Sequence, residues 1–126
     1  MNTVVIVDDD STNVSLLKML LELDGYAVLA CKNIDEAQTA AAQDVDAFVI
    51  DCYLAQGASG LSLLKDVRSG QTAANKNCVV LMVSGDYRLE NEALAAGADD
   101  FFLKPYSPST LSNNLHALLL KKEHSG

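Results

Sequence analysis

The stretch VVIVDDDSTN, residues 4–13, runs four apolar residues directly into three consecutive carboxylates, Asp8, Asp9 and Asp10. The apolar run predicts a buried β-strand. Two carboxylates about 5 Å apart repel each other by roughly 3 kcal/mol at an effective dielectric constant near 20. A positive partner must therefore compensate for them. The candidates are a metal ion, a lysine elsewhere in the chain, and the amide dipoles of a helix predicted to begin at Ser11.

Four further apolar segments follow this strand, and helical patterns fill the gaps between them. The five predicted strands are Thr3 to Val7, Tyr26 to Ala30, Val45 to Ile50, Cys78 to Val83 and Asp100 to Leu103. A strict alternation of strand and helix predicts an α/β fold in which a doubly wound, five-stranded parallel sheet carries helices on both faces.

The predicted helices are placed by capping residues and by apolar residues that recur at three and four positions. The first helix is predicted to be capped by Ser11 or Thr12, and the second to start at Asn33 or Asp35 and end at Asp44. The third is predicted to start after Ser59-Gly60, and the fourth to run from about Tyr87 to Ala96. The fifth is recognised by its apolar face of Leu111, Leu115, Leu118 and Leu119.

Length and composition predict one domain over residues 1–126, with a core from about residue 3 to 121, because 126 residues with 49% hydrophobic content can fill a single core. The net charge of −8 argues against direct binding to nucleic acid or to an anionic membrane. No apolar run approaches the roughly 20 residues that cross a bilayer. Three cysteines without C-x-x-C spacing, each in or beside an apolar run, fit reduced, buried thiols. We expect a cytoplasmic protein that does not bind membranes.

Four of the five predicted strands finish in a polar or charged residue: Asp8-Asp9, Asp51, Ser84 and Lys104. Because the carboxyl ends of parallel strands meet at one edge of the sheet, these side chains should share a cleft. Carboxylate oxygens suit Mg²⁺, a lysine neutralises phosphoryl oxygens, and a carboxylate can act as the nucleophile that forms an aspartyl phosphate. The pattern therefore favours phosphoryl chemistry.

Four motifs in this order resemble the receiver domain of bacterial two-component response regulators, of the kind found in chemotaxis regulators. They are VDD at 7–9, Asp51 after VDAFVI, Ser84-Gly85 after VVLMV, and GADDFFLKP at 97–105. The resemblance covers nearly the whole chain. It implies a flavodoxin-like sheet with the strand order 2-1-3-4-5.

The resemblance also implies a role for each matching residue. Asp51 would accept a phosphoryl group from a sensor histidine kinase or a histidine phosphotransfer protein. Asp9 and Asp51 would bind Mg²⁺ directly, Asp8 would do so mainly through water, and the carbonyl of Tyr53 would add a ligand. The only turnover expected is self-phosphorylation from a donor followed by slow autodephosphorylation.

The remaining implied roles concern switching. Ser84 would hydrogen-bond the phosphoryl group, Lys104 would pair with it, and Phe101 matches an aromatic residue that swings inward on activation. Pro105 would follow a cis peptide bond. The output would be a downstream protein target or a fused output domain, and the resemblance allows a homodimer through the face formed by the fourth helix, the fifth strand and the fifth helix.

The chain departs from the receiver pattern in three places. The loop from Cys52 to Gly60 lacks the usual proline, and the segment from Ser84 to Lys104 is about two residues shorter than is common. Tyr53 is bulky at a position that flanks the path of a hydrolytic water. We hypothesise that it shields the acyl phosphate and lengthens its lifetime.

Two other functions remain open at this point. Asp8-x-Asp10-x-Thr12 also fits the DxDxT signature of haloacid-dehalogenase-like phosphatases, in which Asp8 would be the nucleophile and Asp10 the acid-base. The third reading is a pseudo-receiver, a binding module that keeps the fold without being phosphorylated.

Overall fold

The computed structural model describes residues 2–125, the last two of them by backbone only. Its strands are β1 (Thr3–Val7), β2 (Ala27–Cys31), β3 (Val45–Asp51), β4 (Val79–Ser84) and β5 (Asp100–Leu103). Its α-helices are α1 (Ser11–Leu23), α2 (Ile34–Ala40), α3 (Gly60–Arg68), α4 (Glu90–Ala95) and α5 (Pro108–Ser125). All strands pair in parallel in the order β2-β1-β3-β4-β5, which confirms the predicted doubly wound sheet.

The sheet separates two hydrophobic cores, because successive side chains of a strand point to opposite faces. Val5 and Val7 of β1 join the core under α2, α3 and α4, whereas Val4 and Ile6 join the core under α1 and α5. β5 obeys the same alternation: Phe101 lies in the first core and the next residue, Phe102, in the second. Continuous apolar runs are what this double burial requires. Among the described residues, the thiols of Cys31, Cys52 and Cys78 are free and buried.

Three helix boundaries differ from the sequence prediction. The cap of α1 is Asp10, whose carboxylate accepts the backbone N–H groups of Thr12 and Asn13, so the predicted cap at Ser11 or Thr12 was wrong. α2 ends at Ala40 rather than near Asp44, and the predicted fourth helix divides into a 3₁₀ turn and α4. None of the helices within residues 2–125 combines the length and the apolar composition needed to cross a membrane.

At the amino edge of the sheet, the guanidinium of Arg68 joins α3 to two loops, the one before β4 and the one before β5. It donates to the carbonyl oxygens of Gly97 at 2.8 Å, Lys76 at 2.8 Å and Cys78 at 2.6 Å, and to Asp99 Oδ2 at 3.0 Å. Asp99 Oδ2 also accepts the backbone N–H of Val80. Asp99 is therefore a structural acceptor at the opposite edge of the sheet from Asp51.

We expect Arg68→Ala to lower the free energy of unfolding by about 2–3 kcal/mol, because three carbonyls and a carboxylate lose a charged donor that is only 19% exposed. Urea unfolding followed by circular dichroism measures the loss. Lys18→Ala is the control, since its ion pair with Glu22 is exposed and should contribute less than about 0.5 kcal/mol. Equal losses in the two variants would contradict a structural role for Arg68.

Candidate functional site

The four predicted polar strand ends lie on adjacent strands of the sheet. Asp51 ends β3 and Ser84 ends β4, while Asp8 directly follows β1 and Lys104 directly follows β5. The parallel register aligns them at one edge, since β1 and β4 flank β3, and β5 pairs with β4. The strand order thus collects residues that are up to 96 positions apart in the chain.

Lys104 joins the two buried carboxylates of this edge. Its Nζ donates to Asp51 Oδ2 at 2.8 Å and to Asp8 Oδ2 at 3.0 Å, and the Lys104–Pro105 peptide is cis, as predicted. Burial works against the ammonium charge, but the hydrogen bonds to Asp51 and Asp8 outweigh it and raise the pKa of Lys104. The lysine is therefore one of the positive partners that the acidic stretch requires.

The remaining carboxylate oxygens are held by backbone donors. Asp51 Oδ1 accepts the N–H of Tyr53 at 3.1 Å, and Asp8 Oδ1 accepts the N–H of Asp10 at 2.9 Å. Burial raises the pKa of Asp51, against the opposing hydrogen bonds from Lys104 and Tyr53. Both oxygens of Asp8, which is 4% exposed, are thus already hydrogen-bonded.

Three carboxylates are close enough to hold a metal ion. Asp8, Asp9 and Asp51 each offer an oxygen that lies within 4.8 Å of the others. Asp9 is exposed, so its carboxylate faces solvent at the mouth of the cluster. Within residues 2–125, no donor bonds to the carbonyl oxygen of Tyr53, and that oxygen remains available as a ligand. This set of hard oxygen donors fits Mg²⁺ or Ca²⁺ and gives no soft ligand for zinc.

The loop after β3 keeps a defined shape without a proline. Gly60 N–H donates to the Cys52 carbonyl at 2.9 Å, and Leu54 N–H donates to the Ala58 carbonyl at 3.0 Å, so the loop folds back as a narrow antiparallel hairpin. A 3₁₀ turn over Ala55–Gly57 forms its tip. These bonds position the backbone of Tyr53 beside Asp51.

The two predicted switch residues are both buried. Ser84 is fully buried, and its Oγ accepts the N–H of Asp86 at 3.0 Å, while its carbonyl accepts the N–H of Lys104 at 2.7 Å. Phe101 is 9% exposed and packs into the core under α2, α3 and α4. The structure thus places Ser84 at the same sheet edge as Asp51, and Phe101 on β5. Their switching roles stay predictions.

Sequence reasoning missed two residues at this edge, Asp86 and Arg88. The hydroxyl of Tyr53 donates to Asp86 Oδ2 at 3.3 Å, and Arg88 forms an ion pair with the same carboxylate at 2.9 Å. An acidic residue directly before the helix predicted from Tyr87 is a cap signal that could have drawn attention to Asp86, which caps the 3₁₀ turn Tyr87–Leu89.

The phosphatase alternative needs Asp10 beside Asp8 as an acid-base. Asp10 instead caps α1 and is exposed, and its side chain bonds to Asn13 rather than entering the cleft. The DxDxT pattern is therefore explained by a helix start.

Comparison with known proteins gives a consistent picture. The profile of the family described as the response regulator receiver domain matches residues 4–116. The chain is 26% identical over 117 residues to PhoB, the phosphate regulon transcriptional regulatory protein of Pseudomonas aeruginosa, with 93% of this chain and 51% of that protein covered. It is 32% identical over 125 residues to a cyclic di-GMP phosphodiesterase of Thermotoga maritima, with 98% of this chain and 30% of that protein covered.

Solved structures agree with the fold. The crystal structure of a CheY-like response regulator receiver domain protein from Methanospirillum hungatei superposes with a TM-score of 0.88 at 27% identity, and the match covers 100% of this chain and 99% of that one. The chain spans 51% of the length of PhoB and 30% of the length of the cyclic di-GMP phosphodiesterase. The names of these two relatives describe different overall activities, since one is a transcriptional regulatory protein and the other a cyclic di-GMP phosphodiesterase.

Proposed function

The chain belongs to the response regulator receiver domain family of two-component systems, and we propose that it accepts a phosphoryl group on Asp51 from a sensor histidine kinase or a histidine phosphotransfer protein, with Mg²⁺ as cofactor. The observation that carries this proposal is the contact of Lys104 Nζ with Asp51 Oδ2 at 2.8 Å, beside an acidic cluster at the same sheet edge. A buried nucleophile next to a fixed cation and a metal-type donor set suits phosphoryl transfer.

In the proposed reaction, a carboxylate oxygen of Asp51 bonds to phosphorus as the bond from phosphorus to the histidine nitrogen breaks. Lys104 would compensate for the negative charge of the phosphoryl group, because its ammonium can exchange its contact with Asp51 for one with a phosphoryl oxygen while it keeps its contact with Asp8. The Ser84 hydroxyl accepts a hydrogen bond from the N–H of Asp86 and also hydrogen-bonds the Cys52 side chain, so it would exchange its contact with Cys52 for one with a phosphoryl oxygen. That exchange would couple the site to β5, since the Ser84 carbonyl already accepts the N–H of Lys104.

Asp9, Asp51 and the carbonyl of Tyr53 would hold Mg²⁺. Asp8 suits an indirect role through water, because both of its oxygens already accept hydrogen bonds from protein donors. When bound, Mg²⁺ would neutralise charge on the carboxylates and on the incoming phosphoryl oxygens.

The family points to a cytoplasmic protein that works by protein contact. We propose that phosphorylation alters a surface read by a downstream target or by a fused output domain. The face formed by α4, β5 and α5 is the candidate for a homodimer, and it exposes Leu94 and Leu103. The net charge of −8 speaks against direct binding to nucleic acid.

We expect Asp9→Asn to weaken Mg²⁺ binding roughly tenfold or more, because the change removes a charged and solvent-facing ligand. Isothermal titration calorimetry measures the affinity. Asp10→Asn is the matched control, since asparagine also caps helices and the residue lies outside the acidic cluster. If the two variants bind Mg²⁺ equally well, Asp9 is not a ligand.

The proposed function is tested by treating the chain with acetyl phosphate, with and without Mg²⁺, and mapping the modified peptide by mass spectrometry. We expect Mg²⁺-dependent addition of one phosphoryl group on Asp51. A label on Asp8 would instead support the phosphatase alternative. No uptake, together with no response to beryllofluoride, would support a pseudo-receiver.

A further inference from the structure

The two outermost strands of the sheet, β2 and β5, differ in how well they resist pairing with another chain. β5 has only 4 residues, begins at the charged Asp100 and is followed directly by Lys104-Pro105. Short length, charge and proline all discourage the addition of a further strand. β2 has 5 residues of sequence AVLAC, with no charge and no proline, and it follows β1 in an unbroken register. The β2 edge is therefore the one that a further strand could join.

The outer side of β2 offers a row of backbone donors and acceptors. Ala27 N–H donates to the Asn2 carbonyl, and the Cys31 carbonyl accepts the N–H of Asp8, so Ala27 and Cys31 direct these groups toward β1. Because bonding directions alternate along a strand, Val28 and Ala30 direct their N–H and C=O groups away from β1. Within residues 2–125, β2 pairs with no strand other than β1. These outward groups are thus available to a second strand.

The side chain between these two residues, Leu29, is 46% exposed although it lies at the centre of its strand. Val28 lies in the core under α1 and α5, so Leu29 points to the opposite face of the sheet, which carries α2. α2 has only 7 residues and leaves Leu29 partly uncovered. The edge therefore combines outward backbone groups with an apolar side chain that a partner could bury.

The β2 edge is complementary to itself. If β2 of a second copy runs antiparallel with the two Leu29 residues opposite each other, Val28 lies opposite Ala30 of the second copy. Both residues direct their N–H and C=O groups outward, as a hydrogen-bonded antiparallel pair requires. The two Leu29 residues then form the non-hydrogen-bonded pair between them, in which side chains lie closest. A single register thus satisfies the outward backbone groups and covers Leu29.

Charges near the edge also agree with this register. Lys32, which is exposed, would lie opposite Tyr26 of the second copy. Burial and the nearby Asp24 carboxylate raise the pKa of Tyr26, so an exposed carboxylate lies close to that position. The flank of α1 beside β2 presents Ser11 and Ser15, which are uncharged. Each copy would therefore bring a lysine toward a carboxylate of the other.

We propose that the β2 edge is an interface at which two copies of this chain join their sheets, through antiparallel pairing of Ala27–Cys31 with Leu29 on the twofold axis. Assembly stops at a dimer, because both β2 edges are then occupied and the β5 edges stay blocked by charge and proline. This surface is distinct from the face formed by α4, β5 and α5. It also leaves the acidic cluster of Asp8, Asp9 and Asp51 out of the contact.

Sedimentation velocity of the full chain over a range of protein concentrations tests the proposal. No phosphoryl donor is added, so the result does not depend on the proposed function of Asp51. We expect a dimer whose dissociation constant falls as salt is raised, because salt screens the repulsion between two chains of net charge −8. Leu29→Lys should raise the dissociation constant about tenfold or more, since it places two like charges opposite each other.

Leu103→Lys is the matched control, because Leu103 lies on the other outermost strand and is 48% exposed. Its dissociation constant should equal that of the parent chain, and both variants should keep the parent melting temperature because both side chains are exposed. Loss of the dimer in Leu103→Lys together with its persistence in Leu29→Lys would overturn the proposal and would support a dimer through α4, β5 and α5.

A cross-link tests the register itself. In a non-hydrogen-bonded antiparallel pair the two Cα atoms lie about 4.5 Å apart, within the range that a disulfide spans. Leu29→Cys should therefore form a disulfide-linked dimer under mild oxidation, read on a non-reducing gel, whereas Leu103→Cys should not. The native thiols of Cys31, Cys52 and Cys78 are buried and should not interfere. A parent chain that sediments as a monomer at every concentration, together with no cross-link in Leu29→Cys, would refute the interface.

Discussion

Asp51→Asn is expected to abolish phosphoryl uptake, by more than about a hundredfold relative to the parent chain. The amide oxygen of asparagine is a poor nucleophile, and the change also removes a negative charge from the acidic cluster. Incubation with acetyl phosphate and Mg²⁺, followed by intact-mass spectrometry, measures the phosphorylated fraction over time. The variant should remain folded, because asparagine matches the shape of aspartate and its single amide oxygen can still accept one of the two hydrogen bonds, from Lys104 or from Tyr53.

Asp8→Asn is the informative partner of this variant. It alters a buried carboxylate that shares Lys104 with Asp51, so it disturbs the same charge cluster without touching the proposed nucleophile. We expect it to slow phosphorylation and to keep the label on Asp51. Persistent uptake in Asp51→Asn, combined with loss of uptake in Asp8→Asn, would refute the assignment of the nucleophile and revive the phosphatase alternative.

The sequence allowed the fold to be predicted because its signals are local and repeated. Uninterrupted apolar runs such as Val4 to Val7 indicate strands buried on both faces, and each is followed by a helical pattern of ordinary length. Parallel threading then has few solutions. Polar residues at strand ends such as Asp51 and Lys104 share one edge of the sheet in all of them, and the strand order implied by the receiver resemblance brings them close, which is why the composition of the candidate site could be predicted without coordinates.

The partners within that site could not be predicted. Several donors and acceptors compete at one edge, and the outcome depends on distances of a few tenths of an ångström that no sequence pattern encodes. Lys104 contacts Asp8 as well as Asp51, so the lysine compensates part of the repulsion for which a metal ion was the first explanation. The receiver resemblance gave metal roles to Asp8 and Asp9 and none to Asp10, but the sequence did not show that Asp10 is the residue that caps α1.

The departures from the receiver pattern were also visible in the sequence, but their consequences were not. The short segment between Ser84 and Lys104 is accommodated by a 3₁₀ turn and a helix of only 6 residues, Glu90–Ala95. Asp86 caps that turn with Oδ1 while Oδ2 bonds to Tyr53. A shortened loop and a bulky tyrosine, two separate observations in the sequence, therefore meet in one arrangement.

Gly60→Ala is expected to lower the free energy of unfolding by about 4 kcal/mol or more, the largest stability effect of any variant considered. A Cβ added to Gly60 would lie 1.9 Å from the carbonyl oxygen of Asp51 and 2.8 Å from Ile50 Cγ2. Neither neighbour can yield, because both belong to β3, which pairs with β1 on one side and β4 on the other. Chemical denaturation measures the loss.

Gly85→Ala separates this steric effect from a general cost of replacing glycine, because a Cβ at Gly85 would meet no atom within 4 Å. We expect its stability to lie within about 0.5 kcal/mol of the parent chain. If Gly60→Ala folds at all, the hydrogen bond from Gly60 N–H to the Cys52 carbonyl must lengthen, and the loop that presents Tyr53 must move with it. Mg²⁺ affinity should then fall together with stability, whereas unchanged stability in Gly60→Ala would mean that α3 can retreat from β3 without cost.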